Sequence, residues 1–394
     1  MGDDFDFNYI KYLRAKEHVD DRVLYGPAWE RLGDWLAESL SDGRSAGGAM
    51  SEPVRVLDIG CGIGSVFYRL LPVLLRKMRA REDVSTWRPL EYVLVDVKRA
   101  NLEEAVNRCS AWARAPVADD AAVEMWRVDG RTGDSGDLRN DIHGATCMHR
   151  AMTGAPTADR VVASAHLQLP VHRTLWQVHL QAWHGDACQY CAATPAQAHV
   201  LIAAAFFDLF LVDATAVPAD DTALLASVLH CCLQALRSGG LFYFPIHYNG
   251  ITGFEPTLPD AATCTPERQL LERFHATMGA GTRGRSGDAL RRLLAEWQGT
   301  HRPCRVRLLE TGRSDWRVVP SAEGGEYASP ADAYFLRCIL FLIASTCRAT
   351  AKSEADMRGV DSWYRQRLAA VDDGVLAYTA ENVDMLGVLE RTPD

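Results

Sequence analysis

The sequence lacks the hallmarks of secreted and membrane proteins. No window approaches the roughly 18 uninterrupted apolar residues of a membrane span, and the N-terminal stretch MGDDFDFNYIKYLRAKEHVDD has no basic start followed by an apolar run. Cysteine is present, but the eleven residues are scattered and odd in number, which fits reduced thiols better than disulfides. We therefore expect a soluble, cytoplasmic protein without a membrane partner.

Lysine and clustered positive charge are scarce. Lysine occurs five times among 42 basic residues, the formal net charge is −9, and the arginines are dispersed among acids. Nucleic-acid binding without sequence preference draws most of its affinity from phosphate neutralisation. The charge balance therefore disfavours a nucleic-acid partner, although it does not exclude a local groove.

What the chain does have is an alternation of apolar runs and amphipathic segments. It is 394 residues long and 48% hydrophobic, enough for a sizeable core. The strand-like runs, separated by helical patterns, are VRVLDIG, LEYVLVD, TLWQVHLQAWHGDA, FFDLFLVDA and SGGLFYFPIHYNG. This rhythm predicts an α/β fold with a mainly parallel sheet and helices on both faces.

Changes in composition predict three segments. Residues 1–50 form a helical cap and a glycine-rich linker, 51–320 the core, and 321–394 a helical extension. Within the core, a polar, glycine-rich insertion is expected at about 115–174, with VEMWRV as a candidate added strand. RVRLLE and DWRVVP predict a closing hairpin, and ADAYFLRCILFLIASTCRA, VDSWYRQRLAAV and VLAYTAENVDMLGVL predict helices.

The stretch VRVLDIGCGIGSVFYRL, residues 54–70, predicts a strand, a tight turn and a helix. In an open α/β sheet the ligand binds beyond the carboxyl ends of the strands, where glycines admit its close approach. A dinucleotide-binding fold has the motif G-x-G-x-x-G/A. When its first two glycines are aligned with Gly60 and Gly62, the third position of the motif is Ser65 instead of Gly or Ala. The Asp58 carboxylate would repel a pyrophosphate and attract a cation. The pattern therefore favours a positively charged nucleoside as the ligand. The alternative is that the glycines serve only the packing of the turn and that no ligand binds there.

VLDIGCGIG resembles motif I of the class I S-adenosylmethionine-dependent methyltransferases, and later motifs extend the likeness over roughly residues 50–250. The resemblance implies a Rossmann-like, seven-stranded, mainly parallel sheet and S-adenosyl-L-methionine as the cofactor. Elements such as VDDR, AWAR and GGLFYFPIHYNGITGFEP are also similar to those of little-characterised bacterial proteins with a methyltransferase domain. That second likeness names no substrate.

The resemblance also implies which residues contact the cofactor. Asp58 would accept a hydrogen bond from the methionine ammonium, Asp96 would bind the ribose hydroxyls, and Asp186 would lie near the adenine. Asp129 is the second choice for the adenine contact. The full set of implied cofactor contacts is Asp58, Gly60, Cys61, Gly62, Gly64, Asp96, Val97, Asp186, Ala187 and Asp213.

Residues that face the methyl acceptor are expected after the fourth and fifth strands, in VDATAVP and FPIHYNGITGFEP. The candidates there are Asp213, His247, Tyr248, Asn249 and Glu255. We predict catalytic roles for His247, Tyr248 and Asp213, with His247 as the base because its ordinary pKa lies near neutrality. The alternative is that His247 and Tyr248 only pack and hydrogen-bond in a loop. No Asn/Asp-Pro-Pro-aromatic signature follows the fourth strand, which weakens the case for nucleobase amines as acceptors.

HGDACQYC places His184, Cys188 and Cys191 at ligand-like spacing. Zinc needs three or four convergent ligands, and only one CxxC pair with a nearby histidine is evident, so no metal site is predicted. Arg283 and Arg285 could receive an anionic acceptor, or could simply be solvated.

These features predict an enzyme that methylates a small molecule. Two alternatives remain open from the sequence: a nicotinamide-dinucleotide-dependent oxidoreductase, and a methyltransferase-like module that binds without transferring. The acceptor atom and the oligomeric state are not determined by the sequence.

Overall fold

A computed structural model describes residues 5–41, 52–84, 86–112, 122–126, 160–210, 223–258, 266–277, 286–297, 304–321 and 325–391. The helices in these ranges are α1 (Tyr9–Asp20), α2 (Gly26–Ser41), α3 (Ser65–Arg79), α4 (Arg99–Trp112), α5 (Ala187–Ala193), α6 (Ala223–Gln234), α7 (Glu267–Thr277), α8 (Ser286–Glu296), α9 (Pro330–Ala349) and α10 (Glu354–Asp372). The strands are β1 (Val54–Ile59), β2 (Leu90–Asp96), β3 (Ala122–Trp126), β4 (Val161–Val171), β5 (Thr174–His184), β6 (Ala198–Ile202), β7 (Leu236–Glu255), β8 (Cys304–Arg313), β9 (Trp316–Val318) and β10 (Ala377–Arg391).

All of these strands belong to one sheet in the order β3-β4-β5-β2-β1-β6-β7-β10-β8, with β9 paired to β10. The five central strands, β5-β2-β1-β6-β7, run parallel, whereas β3 and β4 on one side and β8, β9 and β10 on the other are antiparallel. The predicted Rossmann-like α/β fold is confirmed. The sheet has ten strands in the described residues instead of the predicted seven, because antiparallel strands extend both edges.

Part of the predicted insertion at 115–174 belongs to the sheet. The first four residues of VEMWRV lie in the added strand β3, and β4 pairs antiparallel with β5 through a tight connection at Val171 and Thr174. The burial of β4 alternates along the strand, as expected where one face packs on the core. Residues 127–159 of the insertion lie outside the described residues.

The predicted fourth strand, FFDLFLVDA, is wrong. The strand after β5 is instead β6, whose five residues are all buried between β1 and β7. Phe207–Phe210 form one turn of 3₁₀ helix, and Asp213 lies outside the described residues. Short apolar runs do not reveal by periodicity which of two neighbours enters a sheet.

The C-terminal region also differs from the prediction. VLAYTAENVDMLGVL is strand β10, not a helix, and it lies between β7 and β8. The segments of the predicted hairpin, β8 and β9, both pair with β10. The end of the chain therefore completes the core sheet, and the domain boundaries at residues 50 and 320 stay predictions.

The predicted N- and C-terminal helices are confirmed as α1, α2, α9 and α10. Helices α1, α7, α9 and α10 share one apolar cluster with the end of β7, which we call the cap cluster; its larger members include Val19, Phe254, Phe274, Phe335, Trp363 and Tyr378. Helix α9 is long and apolar enough to cross a bilayer, but half of its apolar window is buried inside the fold. Its packing in the cap cluster is that of a core helix.

Candidate functional site

The sheet has its topological switch point at β1. From β1 the chain moves to β2 and β5 on one side, and then crosses to β6 and β7 on the other. The carboxyl ends of β1 and β6 therefore open a crevice, which is where ligands bind in open α/β sheets. The sequence places its glycine turn at this point, directly after β1.

The turn requires glycine at Gly60, Gly62 and Gly64, whose φ angles are +60°, +55° and +72°. A Cβ atom on Gly60 would also lie 2.5 Å from the Phe206 ring, and one on Gly62 would lie 3.4 Å from Leu13. The turn is thus a cradle covered by Phe206 from the segment after β6 and by Leu13 of α1. Gly64 is the N-cap of α3, whose first backbone N–H groups have no partner within the helix.

Asp96, the last residue of β2, is tied to this turn. Its Oδ2 accepts a hydrogen bond from the Gly62 N–H at 3.0 Å, and its Oδ1 accepts from the Lys98 N–H at 2.7 Å and from Asn101 Nδ2 at 3.2 Å. Burial raises the pKa of Asp96, and these three donors oppose that rise. The carboxylate is therefore fixed in position at the edge of the crevice.

Asp58 lies next to the turn and is fully buried. The Tyr92 hydroxyl donates to its Oδ2 at 3.0 Å, while Oδ1 has no hydrogen-bond partner among the described residues. Burial raises the pKa of Asp58 to about 7, a rise that the Tyr92 hydrogen bond opposes and the Asp96 charge increases. A buried carboxyl with an unsatisfied oxygen is a costly arrangement that a cationic donor would stabilise.

The other predicted cofactor contacts surround the same edge. Cys61 is buried, with its N–H donating to the Val95 carbonyl at 3.2 Å, and Val97 is 63% exposed beside the crevice. Asp186 follows β5 and caps α5 by accepting from the Gln189 N–H at 2.9 Å; Ala187 is buried behind it.

The choice of the third strand is supported by the sheet. Strand β5 pairs in parallel with β2, and the Gly185 N–H donates to the Asp96 carbonyl at 3.0 Å. Asp186 therefore lies at the same edge of the sheet as Asp96. The second choice, Asp129, lies outside the described residues.

Helix α1 closes over the glycine turn. Arg108 of α4 donates to both Glu17 carboxylate oxygens, at 2.7 and 2.9 Å, and to the Ile63 carbonyl of the turn at 3.0 Å. At the start of α1, the Lys98 ammonium lies 3.7 Å from the centre of the Tyr9 ring. Burial and the Asp96 charge raise the pKa of Tyr9 to about 12, so this hydroxyl stays protonated.

The predicted base His247 is placed inside the fold. It has no exposed surface, and its Nε2 accepts a hydrogen bond from the Phe207 N–H at 3.4 Å. Burial lowers the pKa of His247 to about 3, so the ring is neutral at physiological pH. Its role as a base stays a prediction, against which this burial counts.

Tyr248 and Asn249 follow His247 and take part in local contacts. The Tyr248 N–H lies 3.3 Å from both carboxylate oxygens of Asp208, and its hydroxyl lies 2.6 Å from Thr252 Oγ1. Asn249 Oδ1 accepts from the Asp288 N–H at 3.1 Å. Asp213 and the arginines at 283 and 285 lie outside the described residues, and Glu255 is exposed at the end of β7.

Two acidic residues at this end of the sheet were missed by sequence reasoning. Asp208 follows β6, and the fully buried run AHVLI just before it was the signal that could have placed it. Asp384 is fully buried on β10, where its carboxylate accepts from the Ile246 N–H at 2.8 Å and from the Tyr25 N–H and Tyr243 hydroxyl at 3.0 Å. Ile246 has a φ of +59°, which is strained for a β-branched residue. Asp384 thus holds the backbone that presents His247.

Among the described residues, no group of three or more His, Cys, Asp or Glu side chains could hold a metal ion. The ring of His184 lies 3.0 Å from the Val97 carbonyl, and Cys188 and Cys191 lie on α5.

No protein-family profile and no curated protein sequence matches this chain. Solved structures do resemble it. A putative sarcosine dimethylglycine methyltransferase from Galdieria sulphuraria has 11% identity and a TM-score of 0.29 over 91% of this chain and 85% of its own. Loganic acid methyltransferase has 9% identity and a TM-score of 0.43 over 100% and 98%. A [4+2]-cyclase has 12% identity and a TM-score of 0.34 over 98% and 95%. Such distant likeness carries no information on substrate or mechanism.

The chain's own geometry is more informative. Its glycine turn follows the first strand at the switch point, and an acid ends the neighbouring strand and binds that turn. The chain has a Rossmann-like α/β fold with a glycine turn and two buried acids at its switch point.

Proposed function

We propose that this protein binds S-adenosyl-L-methionine and transfers its methyl group to a small molecule. The observation that carries the proposal is the pair of buried carboxylates, Asp58 and Asp96, placed around a glycine turn at the switch point of the sheet. Two acids at a ligand-binding crevice suit a ligand that carries hydroxyls and positive charge.

The residues fit this cofactor in three respects. Asp96 is held rigidly by three donors and could accept hydrogen bonds from ribose hydroxyls. Asp58 has an oxygen without a partner among the described residues, which suits an ammonium group reached directly or through water. The cradle at Gly60 is closed by the Phe206 ring, a movable side chain rather than backbone.

When bound, the cofactor would supply an electrophilic methyl group for in-line displacement. The protein's part is to position the acceptor and to exclude water. Because His247 is buried and neutral, we assign the contacts with the acceptor to other polar groups on this side, among them Asp208, Tyr248 and Thr252. They could orient a polar acceptor by hydrogen bonds.

A small acceptor is supported by the cover over this end of the sheet. Tyr248 packs against the cap cluster of α1, α7, α9 and α10, and Leu13 of α1 lies over Gly62, so helices cover parts of both sides of the crevice. A roof of this kind suits enclosure of a small molecule better than access by a polymer. The net charge of −9 also disfavours nucleic acid.

Calorimetric titration with S-adenosylhomocysteine tests the cofactor assignment. We expect one site per chain, and Asp96→Asn should weaken binding about 10- to 100-fold because charged hydrogen bonds contribute about 1.5–3 kcal/mol. Glu91→Gln is the matched control, since Glu91 lies near the other end of β2, paired with Arg55 at 2.9 Å. Its affinity should equal that of the wild type. Binding of NAD in place of S-adenosylhomocysteine would overturn the assignment.

Transfer itself needs a separate measurement. Incubation of the protein and a methyl-labelled donor with small-molecule extracts should yield a labelled product that Asp96→Asn fails to form. Cofactor binding without any labelled product would favour a binding module and contradict the proposed transfer.

A further inference from the structure

Four cysteines from two helices meet on the face of the sheet next to the Asp186 turn. Cys188 and Cys191 lie one turn apart on α5, so they share a face, and Cys231 and Cys232 are consecutive on α6. Helices α5 and α6 pack side by side, and the Cys231 thiol donates to the Cys188 carbonyl at 3.2 Å. All four are free thiols in one apolar cluster.

The four thiols are not equivalent. The neighbouring thiols of Cys231 and Cys232 lower the pKa of Cys188. The same contacts raise the pKa of Cys231 and of Cys232. Of these three thiols, Cys188 is therefore the one whose ionisation the neighbours favour. In this arrangement a cysteine that is oxidised to a sulfenic acid can react with a neighbouring thiol to form a disulfide.

Solvent exposure distinguishes the two cysteines that an oxidant can reach from the two that it cannot. Cys191 and Cys232 are fully buried, with 0% exposure, whereas Cys188 and Cys231 are only partly buried. A small oxidant can therefore reach Cys188, and Cys231 lies beside it on the accessible side. The cluster does not qualify as a metal site in the described part of the chain.

We propose that Cys188 and Cys231 form a peroxide-sensitive pair that closes to a reversible disulfide between α5 and α6. This proposal does not rest on the proposed function, because its reaction uses neither the cofactor nor a methyl group. Cys188 and Cys231 lie on α5 and α6.

The chemistry needs one hydroperoxide, here hydrogen peroxide. The Cys188 thiolate attacks a peroxide oxygen, the O–O bond breaks, and the leaving hydroxide takes a proton to become water. The resulting sulfenic acid is attacked by the Cys231 sulfur, the S–O bond breaks, and the hydroxyl leaves as water with the Cys231 proton. Two thiols lose two electrons, and the peroxide is reduced to two water molecules.

The test is peptide mapping of the full chain after treatment with hydrogen peroxide and blocking of the remaining thiols. We expect a disulfide between the peptides of Cys188 and Cys231 that dithiothreitol reverses. Cys231→Ser should instead leave a sulfenic acid on Cys188 that dimedone traps, and Cys188→Ser should slow the loss of free thiols about tenfold.

Cys304→Ser is the control, because Cys304 is also a partly buried free thiol but lies on β8. It should oxidise at the wild-type rate and form the same disulfide. Equal reactivity of Cys188 and Cys304, a disulfide that pairs other cysteines, or zinc that copurifies at one ion per chain and blocks the reaction would overturn the proposal.

Discussion

The two sides of the crevice are built by contacts of different range. On the glycine-turn side, formed by Asp58, the turn and Asp96, the bond from Gly62 to Asp96 spans 34 residues. On the β7 side, formed by Asp208, Ile246, His247, Tyr248 and Asp384, the bond from Ile246 to Asp384 spans 138 residues. The first side follows from one strand-turn-helix unit and its neighbour. The second exists only once the end of the chain has entered the sheet.

The largest expected effect lies on the β7 side. Asp384→Ala should lower the free energy of unfolding by about 3–5 kcal/mol, because three donors, two of them in buried hydrogen bonds, lose their acceptor. Chemical denaturation measures this change. Asp361→Ala is the control: Asp361 is only partly buried and is paired with Arg348 at 2.8 Å, so its loss should cost about 1 kcal/mol or less. Equal costs for the two variants would show that Asp384 does not hold the β7 side together.

The second prediction concerns pH on the glycine-turn side. Because burial raises the pKa of Asp58 from 3.8 to about 7, the folded state holds a proton that the unfolded state releases between these values. Stability from this group is present below pH 4 and is lost as the pH rises through 7. Asp58→Asn should therefore be more stable than the wild type at pH 8 by about 2–4 kcal/mol, and should lose this advantage near pH 4.

Parallel denaturation curves of the wild type and Asp58→Asn at several pH values measure the difference. Under the proposed function, affinity for S-adenosylhomocysteine should change in the opposite sense. It should rise with pH through 7, because the ligand ammonium favours ionised Asp58. An affinity that falls over this range would show that Asp58 does not meet a cationic group.

The third prediction compares two glycines with similar φ angles. Gly60→Ala should destabilise the fold by about 2–4 kcal/mol, because a left-handed backbone and contact with the Phe206 ring act together. Gly239, with a φ of +76° and open space around it, is the matched control, and Gly239→Ala should cost only about 1–2 kcal/mol. Thermal unfolding of both variants separates the ring contact from the backbone strain. The same cost at both positions would mean that Phe206 does not press on the turn.

The smallest effect is expected for the titration of His247. Since the pKa of His247 is lowered to about 3, the rate of methyl transfer should show no ionisation near 6.5 that depends on this ring. The pH–rate profile of His247→Gln should therefore have the shape of the wild-type profile. An acid limb near 6.5 in the wild type that disappears in the variant would restore His247 as the base.

Sequence reasoning succeeded where the signal is local. Asp58, the three glycines and Asp96 all lie at the ends of strands that their own apolar runs predict, and the structure brings them together. It failed at β6, where two apolar runs are adjacent and only packing against β1 and β7 selects AHVLI. Asp208 was overlooked for the same reason.

The error at β10 has a different cause. VLAYTAENVDMLGVL mixes apolar residues with Asn382 and Asp384, which are buried polar groups and obscure the alternation of a strand. Each is satisfied by distant parts of the chain: the Asn382 N–H donates to Asp315 at 3.0 Å, and Asp384 accepts from Ile246 at 2.8 Å. No window of sequence contains these partners.

By itself, the sequence determined the α/β class, the helices at both ends and the glycine turn with its two acids, because backbone dihedrals, apolar periodicity and strand ends are local properties. Only the tertiary structure decided that β10 enters between β7 and β8, that His247 is buried and neutral, and that Asp208 faces Tyr248. Those outcomes depend on burial and on hydrogen bonds between residues far apart in the chain, which are determined only when the whole sheet assembles.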